Sequence, residues 1–352
     1  VYLNDAERYS YTVNDVIAVN RYFGGIHQGD NKGWAIINGD RYVSDSVLKG
    51  DALSFPLNLK QVKGRPMIVT ESTWVYPNEY GAEGPFLLAA YGALTGFDGY
   101  YWFHIGTEDW AVPESANGYL PSQAKWICLT PEMAGTFPAA ALAYREGYIK
   151  RGKPVVSENR PLSDIWQLKT PVAAESGSFD PNRDKGDSPS TSDVKTFADP
   201  FAYFAGPVEV SYGAETTSET VSNLTAYLKK KDGGLEVTST TGEITLDTAE
   251  HFCTIDAPKV QGIAAHFMAG HTYKTSDVQY RVGHRFGSVM VISLDDQPIT
   301  SSGKILVQVG TQSRPTDWQT KPVTIKQKNN SGVQGKEITN FGKAPWQVIK
   351  SD

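Results

Sequence analysis

Apolar and polar positions alternate along this chain with two different rhythms, and the change of rhythm divides it. From Val1 to about Gly152, short apolar runs alternate with stretches of helical spacing. Asp15-Val16-Ile17-Ala18-Val19-Asn20-Arg21-Tyr22 reads as a strand stopped by Gly24-Gly25. A polar loop with Trp34 follows, then a loosely helical stretch from about Ser44 to Val62. Pro66-Met67-Ile68-Val69-Thr70-Glu71 is a second strand, delivering a carboxylate at its mouth. Pro85 to Thr95 is a helix with Pro at its start and Gly96 past its end. Gly99-Tyr100-Tyr101-Trp102-Phe103-His104 is a third strand. Thr130-Pro131-Glu132 opens a helical region that runs to Gly152 and breaks at Pro138.

From Lys153 to about Phe197 the pattern is irregular, and Ser176 to Ser192 has the Ser, Asp, Gly and Pro content of a loop. Beyond Pro207, short strands alternate with turns, as in Val208 to Tyr212, Ser288 to Ile292 and Lys304 to Val309. The expected organisation is α/β over residues 1–152, an irregular linker over 153–206 and an antiparallel β-sandwich over 207–352.

Composition narrows the partners. Net charge is −6, so there is no basic footprint for nucleic acid or an anionic membrane. No apolar stretch is long enough to span a bilayer. Eighteen Tyr and eight Trp supply flat amphipathic surface of the kind that binds carbohydrate, although a large aromatic core uses the same residues. Cys128 and Cys253 stand far apart, with no zinc spacing and no disulfide framework. The chain opens on Val1 with no signal peptide, as expected of a processed or excised polypeptide from a secreted or periplasmic protein.

Three parallel strands, each followed by helix, would collect functional groups at their C-terminal ends. If Ala18, Asn20 and Tyr22 share a face with Met67, Val69 and Glu71, and with Tyr100, Trp102 and His104, then Tyr22, Glu71, Trp102 and His104 surround one opening. There the Tyr22 hydroxyl would hold Glu71 ionised. His27 and three loop tryptophans, Trp34, Trp74 and Trp110, are further candidates to touch a substrate. Asp180-Pro181-Asn182-Arg183-Asp184 has alternating oxygen ligands but lacks the glycine and distal glutamate of a calcium loop, so no metal is expected. No cofactor is expected either.

Ile68-Val69-Thr70-Glu71-Ser72-Thr73-Trp74, with Asn20-Arg21-Tyr22-Phe23 before it and Tyr101-Trp102-Phe103 after it, resembles strands six to eight of a clan A glycoside hydrolase. The resemblance covers roughly the first 150 residues. It implies a C-terminal portion of a (β/α)8 barrel, with Glu71 as nucleophile of retaining hydrolysis, Tyr22 in contact with it and Trp102 stacking on the sugar. That clan's acid/base glutamate, preceded by asparagine at the end of strand four, has no counterpart before Glu71. Asn78-Glu79 lies in a loop after it. The resemblance therefore implies a complementary N-terminal polypeptide that completes the barrel and supplies the acid, with Glu108 and Asp109 as fallback candidates. The competing reading is a non-catalytic carbohydrate-binding or structural protein.

Overall fold

The computed structural model describes residues 5–30, 32, 34–49, 54–105, 122–175, 196–326 and 331–349. The three expected parallel strands stand side by side. Met67–Ser72 lies in the middle, flanked by Ile17–Asn20 and Gly99–Trp102. Ile17 and Val19 are matched with Met67 and Val69, and Val69 with Tyr100, so these side chains form one face that packs against helices. Ala18, Asn20, Ile68 and Thr70 occupy the other face, half-buried, and Tyr101 emerges there at 60% exposure.

This is not part of a (β/α)8 barrel. The described chain is mainly strand, 38% against 17% helix, and its sheets are several and largely antiparallel. Among the described residues, the connections between the three parallel strands hold one α-helix, Glu83–Thr95, between Met67–Ser72 and Gly99–Trp102. The loosely helical stretch expected over Ser44–Val62 holds no α-helix among its described residues, which include the 3-10 turn Val47–Lys49 and the short strand Gln61–Val62. Its apolar residues Val47, Leu48, Phe55, Leu57 and Leu59 are buried in loop conformation, where packing rather than helical periodicity sets their spacing.

The helix Glu83–Thr95 is the hub. All of its residues but Ala93 are buried, as expected of a helix covered on every side. Gly96 ends it in the left-handed region at φ 75°, donating its N–H to the Gly92 carbonyl. The helices Pro131–Ala134 and Phe137–Arg145 follow Thr130, and the break falls before Pro138.

No β-sandwich follows. Residues 228–310 build a seven-stranded antiparallel sheet in the order Leu228–Lys231, Gly234–Thr238, Ile244–Asp247, Phe252–Ala257, Val260–His266, Phe286–Ser293 and Ile305–Gly310. One face rests on the helices Glu83–Thr95 and Phe137–Arg145 instead of on a second sheet. Phe86 marks the closest approach: a Cβ at Gly262 would lie 2.9 Å from its ring edge and 2.6 Å from the Val289 carbonyl oxygen. The other face, with Ile263, Val289 and Val291, is covered by the pair Tyr273–Lys274 and Gln279–Tyr280. Burial of each large apolar side chain here contributes about 1.5–3 kcal/mol.

The stretch 153–206, expected to be irregular, carries the strand Val156–Arg160 and the helix Leu162–Trp166. That strand pairs in parallel with Val208–Tyr212 and antiparallel with Ser218–Val221. Near the chain's end, Gln319–Lys326 and Gly332–Asn340 form a hairpin that joins the N-terminal strands Arg41–Val43 and Ile26–Gln28 in one sheet. A single buried apolar cluster runs from Ile17 to Ile292.

Candidate active site

Glu71 sits where the central parallel strand loses its regular register. The pairing slips after Val19 on one side and between Val69 and Ser72 on the other, so Glu71 is matched with Asn20 while Ser72 turns into the core. Such a bulge re-aims side chains. It also undoes the simple alternation expected from the sequence: Met67 and Val69 face the helices with Ile17 and Val19, not with Ala18 and Asn20. Thr70 fastens the slip by donating its hydroxyl to Asn20 Oδ1 at 2.6 Å.

Beyond the slip the two chains continue together. Arg21 N–H donates to the Glu71 carbonyl, Phe23 N–H to the Thr73 carbonyl and Val75 N–H to the Phe23 carbonyl, at 3.0, 3.1 and 2.7 Å. This places the Tyr22 phenol over the carboxylate, where it donates to Glu71 Oε2 at 2.8 Å. Glu71 is half-buried and Tyr22 is buried against Val75, Trp126 and Phe103. A hydroxyl donor at this distance occupies one carboxylate oxygen and fixes which oxygen stays open.

Aromatic surface leads outward from this pair. Trp126 packs on Tyr22 with ring centroids 6.3 Å apart, and Trp34 meets Trp126 edge-on at 5.5 Å. Trp34 is 59% exposed. Lys125 is buried, its ammonium 5.7 Å from the Trp126 ring centroid. His104 donates its backbone N–H to the Trp126 carbonyl at 2.8 Å, and its half-buried imidazole lies against Phe103. Burial pushes that imidazole down from its ordinary value, favouring its neutral form.

Other candidates lie elsewhere. Trp74 does not line a glycan subsite. It is buried to 2% exposure between Phe23, Phe55 and Trp102, and its indole N–H donates to Glu83 Oε1 at 3.1 Å. His27 is not a substrate ligand either. It is buried and bonded through Nε2 to Asp40 Oδ2 at 2.8 Å, pinning a loop. Trp102 turns toward the helices, packing on Tyr100, Trp74 and Phe137 and lining an apolar pocket with Leu88, Phe97 and Tyr144. Trp110, Glu108 and Asp109 lie outside the described residues, as does the Asp180–Asp184 turn.

Three residues that the sequence reading passed over belong to this region. Trp126 and Lys125 turn out of the short strand Ser122–Ala124 and carry no periodic signal. Tyr101 was legible, because Tyr100 and Trp102 facing inward force the residue between them outward. Its ring folds over Gly99, where a Cβ would stand 3.5 Å from Tyr101 Cε2 and 3.3 Å from Ile68 Cγ2. Among the described residues, no cluster of three or more His, Cys, Asp or Glu is poised to hold a metal. Cys128 and Cys253 are free and buried.

The arrangement offers an oriented, half-exposed carboxylate beside a cluster of aromatic rings, which suits attack on, or recognition of, a sugar. No family model, no curated protein and no solved structure matches this chain.

Proposed function

We propose that this chain is a retaining glycoside hydrolase in which Glu71 is the nucleophile. The observation that carries the reading is the 2.8 Å hydrogen bond from Tyr22 Oη to Glu71 Oε2, at the end of a parallel strand and beside Trp126 and Trp34. In the first step a Glu71 oxygen attacks the anomeric carbon and forms a glycosyl ester. The glycosidic bond breaks, and the leaving oxygen takes a proton from a general acid. In the second step water, deprotonated by the same group, cleaves the ester and returns Glu71 as a carboxylate. Tyr22 keeps the carboxylate aimed, and Trp34 provides a face on which a sugar ring stacks.

Retention requires a second carboxyl group about 5–5.5 Å from the nucleophile. The acid in this proposal comes from outside the described residues, either from a complementary polypeptide or from Glu108 or Asp109. The segment carrying those two leaves the Gly99–Trp102 strand next to Ser72 and returns at Ser122–Ala124, beside Trp34. A polysaccharide or oligosaccharide substrate agrees with a secreted or periplasmic site of action.

The test is labelling with a panel of 2-deoxy-2-fluoro glycosyl fluorides, followed by peptide mapping. A sugar ester on Glu71, absent in Glu71→Gln, is the expected result. Labelling at another residue, or equal turnover by wild type and Glu71→Gln, would sink it. A carbohydrate-binding protein without catalysis is the second reading. It is favoured by the exposed ring of Trp34, edge-on to Trp126, a surface that can hold a sugar without any second carboxyl. Glycan binding with neither turnover nor labelling would select it.

A further inference from the structure

We infer that Arg314, at the far end of the chain from Glu71, is a positioning residue for the Tyr22–Glu71 pair. This inference rests on the reading of that pair as the reactive centre. The strand Ser313–Thr316 pairs with Lys343–Val348 and is clasped to the loop that follows Glu71. Arg314 is buried to 1% exposure, a costly place for a guanidinium unless its surroundings hold it. It donates to the Ser313 carbonyl at 2.8 Å and to the Pro77 carbonyl at 3.2 Å. It also stands 3.7 Å from Glu79 Oε1. Its planar group lies against two rings that also touch each other, 5.1 Å from the centroid of Tyr76 and 5.5 Å from that of Trp318. Glu79 is held in turn by Tyr42 Oη at 2.9 Å and Lys336 Nζ at 2.6 Å.

From Tyr76 a continuous line of contacts leads to the site. Tyr76 donates its backbone N–H to the Lys125 carbonyl at 3.1 Å, which places Trp126 beside Tyr22. Val75, the preceding residue, bonds to the Phe23 carbonyl and packs on the Tyr22 ring. Arg314 therefore grips Tyr76 and Pro77, the two residues that directly follow Val75 in the wall behind the Tyr22 phenol. The Tyr22 hydroxyl is aimed by its ring, and that ring packs on Val75 and Trp126, with Phe103 edge-on at 6.5 Å between centroids. Loosening residues 75–77 would let the phenol swing away from Glu71 without altering any residue that touches substrate.

The experiment reads the state of Glu71 without reference to turnover. Wild type, Tyr22→Phe, Arg314→Met, Arg314→Lys and the Tyr22→Phe/Arg314→Met double variant are treated with a water-soluble carbodiimide and glycine ethyl ester. Modification of Glu71 is then timed by peptide mapping. Tyr22→Phe frees Oε2 and raises the rate. Arg314→Met is expected to raise it by about 2- to 30-fold, the range found for mutations along coupled contacts. The double variant is expected to match Tyr22→Phe, and Arg314→Lys, which keeps a cation and one donor, to fall closer to wild type.

A wild-type rate in Arg314→Met overturns the inference. So does a double variant in which the two factors multiply, because that means general loosening instead of action through Tyr22. Should Arg314→Met fail to fold, Trp318→Leu removes one of the two neighbouring rings and tests the same line, with a smaller increase expected and a wild-type rate counting against it. With any glycoside that the protein turns over, Arg314→Met should lower kcat while sparing KM. Absence of turnover in wild type would reject the hydrolase and leave the labelling result standing.

Discussion

At the scale of single residues, the site divides into groups held for chemistry and groups held for packing, and burial separates them. Tyr22 is expected to matter through one hydrogen bond. Hydrogen bonds to charged groups contribute about 1.5–3 kcal/mol to the folded state, so Tyr22→Phe should lower the melting temperature by up to that equivalent and lower kcat as well. Steady-state kinetics on a cleaved glycoside, beside a thermal melt, would check both halves of that statement. The two tryptophans should behave in opposite ways. Trp74→Ala is expected to cost about 3–5 kcal/mol of stability, read from the denaturant midpoint, because it empties a packed site between Phe23, Phe55 and Trp102. Trp34→Ala should leave the midpoint within about 0.5 kcal/mol of wild type and weaken glycan binding. A reversed pattern would mean that the aromatic wall has been assigned to the wrong side.

The Tyr22–Glu71 contact was within reach of sequence reasoning, since a polar residue ending each of two adjacent parallel strands has to meet its neighbour. Trp74 was not. A tryptophan three residues after a strand-end acid reads the same whether it caps a substrate or plugs a core. The difference here is Gly84, where a Cβ would stand 2.8 Å from the Trp74 ring. A glycine in the first turn of the helix is what lets the indole lie against it. His27 was illegible for a similar reason, because its partner Asp40 lies thirteen residues away across a loop whose path the spacing does not encode.

At the scale of elements, the helix Glu83–Thr95 is where local and tertiary forces meet. Its first residue is a carboxylate that accepts from Ser46 Oγ, Val47 N–H and Trp74 Nε1. Burial pushes Glu83 up from 4.5 to about 7, with nearby Asp45 adding to the rise and those three donors working against it. The folded value lies above the unfolded one, so the stability linked to this proton is fully present below about pH 4.5. It declines as pH rises through 7. The stability of wild type relative to Glu83→Gln should therefore fall by on the order of 3 kcal/mol between pH 4.5 and 8, measured as denaturant midpoints across that range. A constant difference would show that the donors keep Glu83 ionised throughout.

The helix was readable from Pro85 and Gly96, which mark its ends by backbone chemistry alone. What it packs against was not. Gly262 looks like an interruption in the strand Val260–His266, yet it is the point where Phe86 approaches the sheet. Gly262→Ala is expected to destabilise by about 1–3 kcal/mol, as overpacking does, and a thermal melt would show it.

At the scale of the whole molecule, the N-terminal helix Asp5–Tyr11 is tied in by buried charge. Lys60 bonds to Asp5 at 2.9 and 3.0 Å and lies 3.4 Å from Glu158, while Arg8 bonds to Asp5 and Glu175. Burial alone would raise Asp5, but Lys60 and Arg8 more than offset it and hold it at about 2, below its ordinary 3.8. Its folded value is the lower one, so the associated stability is present above about pH 4 and is lost as pH falls toward 2. Acid titration of Asp5→Asn against wild type should show that limb flattened. Breaking a buried pair costs about 3–5 kcal/mol, and Lys60→Met is expected to lower the midpoint by that much at pH 7.

Sequence alone determined the properties that depend on near neighbours. It located the three parallel strands, the helix between the second and third, its glycine stop, and the carboxylate with its tyrosine. Backbone sterics and the period of apolar residues act over a few positions, so they can be read there. Tertiary structure decided everything that depends on which surfaces meet. The second half forms a seven-stranded sheet laid on helices instead of a sandwich, because the apolar face of an antiparallel strand reads alike against either partner. The three parallel strands remain a small sheet, because strand pattern carries no information on how many neighbours follow. The register slip that aims Glu71 at Tyr22, and the brace from Arg314 behind it, exist only once residues 20, 71, 76 and 314 are brought together.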